Sequence, residues 1–369
     1  MSSFYDHILI WFILMISRSI LMVKGQPQVP CYFIFGDSLV DNGNNNNLTT
    51  SAKANYFPYG IDFPTDSQNG RFTNGKNKAD FIAQLLGFNH FIPPYSTARG
   101  NEIHRGVNYG SGAAGIRDET GSALGDRISL NRQLLNHQAT MLKITTILRN
   151  ITATRSLLNN CLYTIDIGSN DYLNNYLQPI FYPSSLLYTP DRFATVLVQQ
   201  YGRQLRILHG FGARKVAVSN IGLLGCLPEI TSVFGRNASG CADFVNNYVE
   251  LYNQKLKVLI DNLNTNLPGA RFIILNQTSI STGGPPTGLT IFDRPCCMVL
   301  PNTRAKGQCI EGQIPCNNRK QYVFFDNFHP TEVGNLAIAR RSYDAFAPTD
   351  AYPVDIRRLV QPRYSQPSL

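Results

Sequence analysis

YFIFGDSLVDNGNNN, residues 32–46, governs how the rest of this 369-residue chain is read. Tyr32–Phe35 is an apolar run of aromatic and β-branched residues, the composition of a short buried strand. Gly36 breaks the run, and Asp37 and Ser38 follow on the turn. A Gly turn at the end of a strand lifts the next side chain to the carboxyl edge of a sheet, where open parallel sheets place their sites. The Asn-rich remainder, Asn42–Asn47, reads as a long surface loop.

Four more runs have the same look: Gly106–Tyr109, Leu162–Ile167, Lys215–Ser219 and Phe272–Leu275. Helical patterns separate them. Thr189-Pro190 is a helix start, after which Phe193, Leu197, Tyr201, Leu205 and Leu208 form one face, closed by Gly210 and Gly212. A second face runs from about Ala242 to Leu263 through Phe244, Tyr248, Leu251 or Tyr252, and Leu259. A last helix is predicted from Pro330, with Val333, Leu336, Ala337, Ala339 and Tyr343. Strands alternating with helices predict a mostly parallel sheet covered on both faces. Residues 281–318 read as a long surface loop, and the end after Ala347 as a packed or frayed tail.

Composition narrows the function classes. With 43% hydrophobic residues the chain can bury a sizeable core, which excludes global disorder. Only 15% of residues are charged, and 34 Asn outnumber the 24 Asp plus Glu. The formal charge is +9, but Lys and Arg are scattered, whereas a nucleic-acid face clusters them. No nucleic-acid partner is expected.

Ile8–Ile16 is an apolar run of nine, too short for the ~20 residues of a membrane span and the right length for the core of a signal peptide. Cleavage is expected after Gly25, giving a signal peptide over 1–25, one domain over 26–369, a secreted product and no stable membrane insertion. All eight Cys lie beyond that site, an even number that suggests disulfides in an exported chain. Cys226 and Cys241 flank a short Gly-containing loop and are candidates to pair. A zinc site has little support, because no CxxC occurs. Sequons begin at Asn47, Asn150, Asn237 and Asn276.

The residues just past each strand carry the chemistry. Ser38 comes after the first, Gly110-Ser111-Gly112 after the second, and Gly168-Ser169-Asn170-Asp171 after the third. Late in the chain Asp326 and His329 lie three residues apart at a helix entry, and His329 is the one His with an acidic residue at that spacing. A serine nucleophile needs a base, the base an orienting carboxylate, and the tetrahedral intermediate needs donors for its oxyanion. Ser38, His329 and Asp326 fill the first three roles, with Gly110 and Asn170 as donors. Singly, each residue has a plainer use: Ser38 as a helix N-cap, Asn170 and Asp171 as turn formers, Gly110 and Gly112 as tight-turn glycines, Asp326 as a cap. Together, in chain order and after strands, they favour a hydrolase. The Gly-x-Ser-x-Gly elbow is absent, since Val40 stands at the second Gly position.

FIFGDSLVDNGNNN (33–46) resembles the first sequence block of the GDSL esterase/lipase family of land plants, in the SGNH hydrolase superfamily. VNYGSGAAGI (107–116), IGSND (167–171) and FFDNFHPTE (324–332) resemble its second, third and fifth blocks, and GRFTNGK (70–76) and GARKVAV (212–218) extend the likeness. The resemblance implies a three-layer α/β/α sandwich, flavodoxin-like, with a five-stranded parallel sheet. It implies Ser38 as nucleophile, Asp326 and His329 as its partners, Gly110 and Asn170 as oxyanion donors, and no cofactor or metal. It also implies hydrolysis of carboxylic esters, of lipids or acylated small molecules. An acyltransferase, an acetyl-esterase acting on cell-wall or cutin-type substrates, and a catalytically silent wall protein are the alternatives. Cys31 and Cys161 depart from the family pattern, in which apolar residues are usual there. They begin strands that the family fold sets side by side, so a bridge and two buried thiols are both open. Met298, after the Cys pair, departs from the family's usual Gly.

Overall fold

A computed structural model describes residues 26–65, 69–283, 288–300 and 307–361. The expected signal segment 1–25 lies outside the described residues, as do 284–287 and 301–306 of the long loop.

The core is a five-stranded sheet. Strands β1 (Tyr32–Gly36), β2 (Leu162–Asp166), β3 (Lys215–Ser219) and β4 (Arg271–Leu275) run parallel in that order. A separate parallel pair is made by β5 (Ile291–Pro295) and β6 (Tyr322–Phe324). The fifth strand of the sheet is β7 (Ala351–Tyr352), antiparallel to β4. The sheet is mostly parallel, as expected, but its fifth strand is not the one the sequence predicts. Gly106–Tyr109 contributes an isolated bridge at Asn108 beside Ile34, not a strand, while the tail read as packed or frayed supplies β7. Two residues are too few to carry a periodicity, so β7 has no strand signal of its own.

Side chains alternate across the sheet as the pleat requires. Phe33, Phe35, Tyr163, Ile165, Val216 and Val218 face one layer. Tyr32, Ile34, Leu162 and Ala217 face the other. The second layer is built by α1 (Lys78–Leu85), which starts at an Asn77 capping box. The first layer holds α2 (Leu130–Leu148), α3 (Pro190–Gly210) and α4 (Asp243–Asn266). Helices α5 (Glu332–Tyr343) and α6 (Ile356–Val360) return to the second layer. The predicted face of α3 is the buried one. In α4 the buried face is Val245, Val249, Tyr252, Leu256, Ile260 and Leu263, one residue on from the Phe244–Tyr248 reading. Phe244 instead packs edge-on to Phe234 near the surface.

Four cysteine pairs lie at disulfide distance: Cys31–Cys161, Cys226–Cys241, Cys296–Cys316 and Cys297–Cys309. The first joins the residues that precede β1 and β2, with their Cα atoms 4.7 Å apart. The last two clasp the Pro/Gly-rich segment before β6. Closing a loop of about 15 residues in the unfolded chain is worth ~3 kcal/mol. No helix among the described residues is long and apolar enough to cross a membrane.

Candidate active site

The site begins at the end of β1. Gly36 has φ +153, and a Cβ there would lie 2.4 Å from the Asp166 carbonyl oxygen. Only glycine lets the chain turn this close to β2, and the turn presents Ser38. Ser38 Oγ lies 2.7 Å from His329 Nε2, across 291 residues of sequence. On the far side of the ring, His329 Nδ1 is 2.7 Å from Asp326 Oδ2 and 2.9 Å from Oδ1. The expected local turn exists. Asp326 Oδ1 accepts the backbone N–H groups of Phe328 (2.8 Å) and His329 (2.7 Å), which fixes the carboxylate against the ring it orients. Asp326 is fully buried, and Phe72 of the GRFTNGK stretch packs on the imidazole at 5.0 Å between ring centroids.

A third group, unforeseen from the sequence, completes the carboxylate's shell. Tyr59 donates to Asp326 Oδ2 at 2.6 Å and accepts from the Cys309 N–H at 3.1 Å. Burial, then the charge of Asp326, pushes its phenol well above the usual range, so it stays a donor.

Ser38, His329 and Asn170 line one cavity of about 370 Å³, joined by Ala113. Asn170 gives one amide hydrogen to the Ala114 carbonyl (3.0 Å) and takes one from Asn174 (2.6 Å), and its second amide hydrogen has no acceptor among the described residues. Gly110, the other expected donor, lies beside this cavity without lining it. Its N–H donates to Asn108 Oδ1 at 2.8 Å. Three residues on, Ala113 carries φ +62, in the left-handed region that alanine rarely adopts. Its backbone N–H, like that of Ser38, has no hydrogen-bond acceptor among the described residues. Strain of this kind gathers at functional sites.

The Asn run read as a surface loop is instead the frame of this cavity wall. Asn44 donates to the carbonyls of Asn108 (2.9 Å) and Gly110 (2.7 Å), and Asn45 to those of Ala52 (2.8 Å) and Gly112 (3.0 Å). Asp41 accepts from the backbone N–H groups of Gly43, Asn44 and Gly112. Side-chain amides and carboxylates here satisfy irregular backbone that no strand or helix can pair.

Asp37 is the electrostatic oddity. Burial pushes its carboxyl up to about 7; the Leu39 N–H opposes this, and the Asp166 charge adds to it. Its Oδ2 is buried without a partner. The folded chain therefore holds a proton there that the unfolded chain releases near 3.8. The stability from this proton is full below about 3.8 and is lost as pH rises through about 7. Asp37→Asn copies the neutral form and is expected to gain ~2–3 kcal/mol on the wild type between pH 5 and pH 8. Urea unfolding of both at four pH values checks this, and a constant difference would show that Asp37 does not titrate in that window.

No group of three or more His, Cys, Asp or Glu able to hold a metal occurs among the described residues. A relay of hydroxyl, imidazole and carboxylate beside unpaired N–H donors is an arrangement for attacking a carbonyl carbon.

Known proteins agree with that chemistry. The model of the family described as GDSL-like Lipase/Acylhydrolase matches residues 32–342. One GDSL esterase/lipase of Arabidopsis thaliana is 48% identical over 353 residues, covering 93% of this chain and 94% of its own. A second from the same plant is 46% identical over 355 residues, covering 94% and 96%. Among solved structures, a putative GDSL-like lipase from Parabacteroides merdae is 12% identical, with 85% of this chain and 93% of its own covered at a TM-score of 0.36. Matched along nearly all of its described length, this chain belongs to the GDSL lipase/acylhydrolase family of carboxylic ester hydrolases.

Proposed function

We propose that the chain is a secreted serine esterase that cleaves esters of lipids or acylated small molecules through an acyl-enzyme on Ser38. The observation that carries this is the unbroken line from Ser38 Oγ through His329 to the buried Asp326. His329 Nε2 takes the Ser38 proton as Oγ bonds to the carbonyl carbon. The oxyanion is held by the Ser38 N–H, the free Asn170 amide hydrogen and the Ala113 N–H, which takes the role that the resemblance assigns to Gly110. Collapse breaks the ester C–O bond, and His329 returns the proton to the leaving alkoxide. Water, deprotonated by the same imidazole, then releases the acid and restores Ser38.

Export through a signal peptide over 1–25, and a single domain over 26–369, belong to the same reading. Its support is the set of four cysteine pairs at disulfide distance. The sequon residues Asn47, Asn150 and Asn237 are exposed, which suits glycosylation, whereas Asn276 is half-buried. Treatment with a fluorophosphonate followed by peptide mass mapping is the direct test. The expected result is a single adduct on Ser38. An adduct elsewhere, or none on folded protein, rejects the mechanism.

A further inference from the structure

The floor of the Ser38 cavity holds a charged assembly that the ester-cleaving machinery does not use. Lys78 is the first residue of α1, and its side chain is only 5% exposed. Its ammonium lies 2.6 Å from Asp166 Oδ1 and 2.9 Å from Ser219 Oγ. Ser219 also donates to Asp166 Oδ1, and Gln277 Nε2 donates to Ser219 at 3.2 Å. Asp166 and Ser219 are the last residues of neighbouring strands, β2 and β3. All four residues line the same cavity as Ser38 and His329, as does Asp37.

Pleat alternation places this group. Asp166 shares a face with Leu162, and Ser219 with Ala217, so both point toward the layer of α1. Ile167, Leu173 and Leu224, which also line the cavity, belong to the opposite layer. Leu227 and Phe328 pack against that second group. Lys78, Asp166 and Ser219 thus line the cavity from the α1 side of the sheet plane, with Leu39 beside them, and a mostly apolar group lines it from the other side.

The polar wall is not self-satisfied. The ammonium has three hydrogens and two acceptors. Asp166 Oδ2 and Gln277 Oε1 accept no hydrogen bond among the described residues. Neither oxygen is sealed from the cavity, so a ligand bound there can reach both of them and the third ammonium hydrogen.

The ligand's chemistry follows from the open atoms. One ammonium hydrogen and two acceptor oxygens, Asp166 Oδ2 and Gln277 Oε1, are open on residues that line the same cavity. A phosphate would meet two carboxyl groups and a lysine already paired. A quaternary ammonium would face Lys78. An alkyl group would seal charged atoms away from water with nothing bound to them. A neutral hydroxyl both accepts and donates, and adjacent hydroxyls span neighbouring partners. We infer that Lys78, Asp166, Ser219 and Gln277 form a subsite for the vicinal hydroxyls of the substrate's alcohol portion, a glycerol or sugar unit, while the acyl chain lies on the apolar wall. This rests on the serine esterase reading and names the substrate class of that site.

Three butyrate esters sharing one acyl group supply the test: glycerol 1-monobutyrate, glucose 6-butyrate and n-butyl butyrate. The readout is the ratio of kcat/KM for each hydroxylated ester to that for the butyl ester. Wild type is expected to favour at least one hydroxylated ester by about tenfold, the gain lying in KM, since two or three added hydrogen bonds are worth about that much. The better of the two hydroxylated esters identifies glycerol or sugar. The double variant Lys78→Met/Asp166→Asn removes both charges without stranding either one. It is expected to lower the ratio about tenfold. Ser219→Ala, a milder change that keeps the ion pair, is expected to lower it about threefold and gives the answer should the double variant misfold. A ratio that stays at the wild-type value in folded variants, or a wild type that prefers the butyl ester, overturns the subsite while leaving the esterase standing. Folded wild type that cleaves none of the three and takes no fluorophosphonate overturns both.

Discussion

Ser38→Ala is expected to lower turnover of a short-chain nitrophenyl ester by on the order of 10⁵–10⁶-fold, the loss seen when a triad nucleophile is removed from a serine hydrolase. The size of the effect comes from losing covalent chemistry altogether, because no other hydroxyl occupies the position 2.7 Å from His329 Nε2. The fold has little at stake. The Ser38 side chain is half-buried and its one hydrogen bond is to His329, so the unfolding midpoint is expected to stay within about 2–4 °C of wild type. Activity and thermal unfolding measured on the same preparation separate the two. Turnover retained at the wild-type level would remove Ser38 from the mechanism.

Asp326→Asn is the second large effect, expected at ~10⁴-fold in kcat. The reason lies in which oxygen is replaced. Oδ1 accepts two backbone N–H groups, so the asparagine carbonyl oxygen must take that side. The amide nitrogen then occupies the Oδ2 position, 2.7 Å from His329 Nδ1 and 2.6 Å from the Tyr59 hydroxyl. Its hydrogens force Nδ1 to accept, which moves the ring proton to Nε2 and aims it at Ser38. A ring protonated there cannot take the serine proton. Fluorophosphonate labelling of Ser38 should slow together with kcat, and a variant that labels at the wild-type rate would contradict the tautomer argument.

Much of the site was legible because its chemistry is tied to short local patterns. The strand-to-Gly turn announces Ser38, and the three-residue spacing of Asp326 and His329 is itself a hydrogen-bonded turn. The hidden parts depend on contacts between distant segments. Tyr59 reaches Asp326 across 267 residues, and nothing in its own neighbourhood distinguishes it from any tyrosine in a turn. Ala113 escaped because the left-handed backbone is usually marked by glycine, and alanine carries no such signal in the sequence. Asn44 and Asn45 look like solvent-facing polar residues until the irregular carbonyls they serve are in view. The α4 face slipped by one residue because Phe244 and Val245 are both apolar and either starts a plausible stripe.

The 291 residues that separate Ser38 from His329 also bear on when the enzyme becomes active. On the proposed mechanism, a ribosome delivers the nucleophile 291 residues before its base. Until residue 329 has been made and has folded back beside β1, the growing chain has a serine without a base and is chemically inert. Contacts of such long range also fold slowly. On that mechanism activity is withheld until residue 329 has been made and placed, which keeps a nascent esterase from cleaving esters before its fold is assembled.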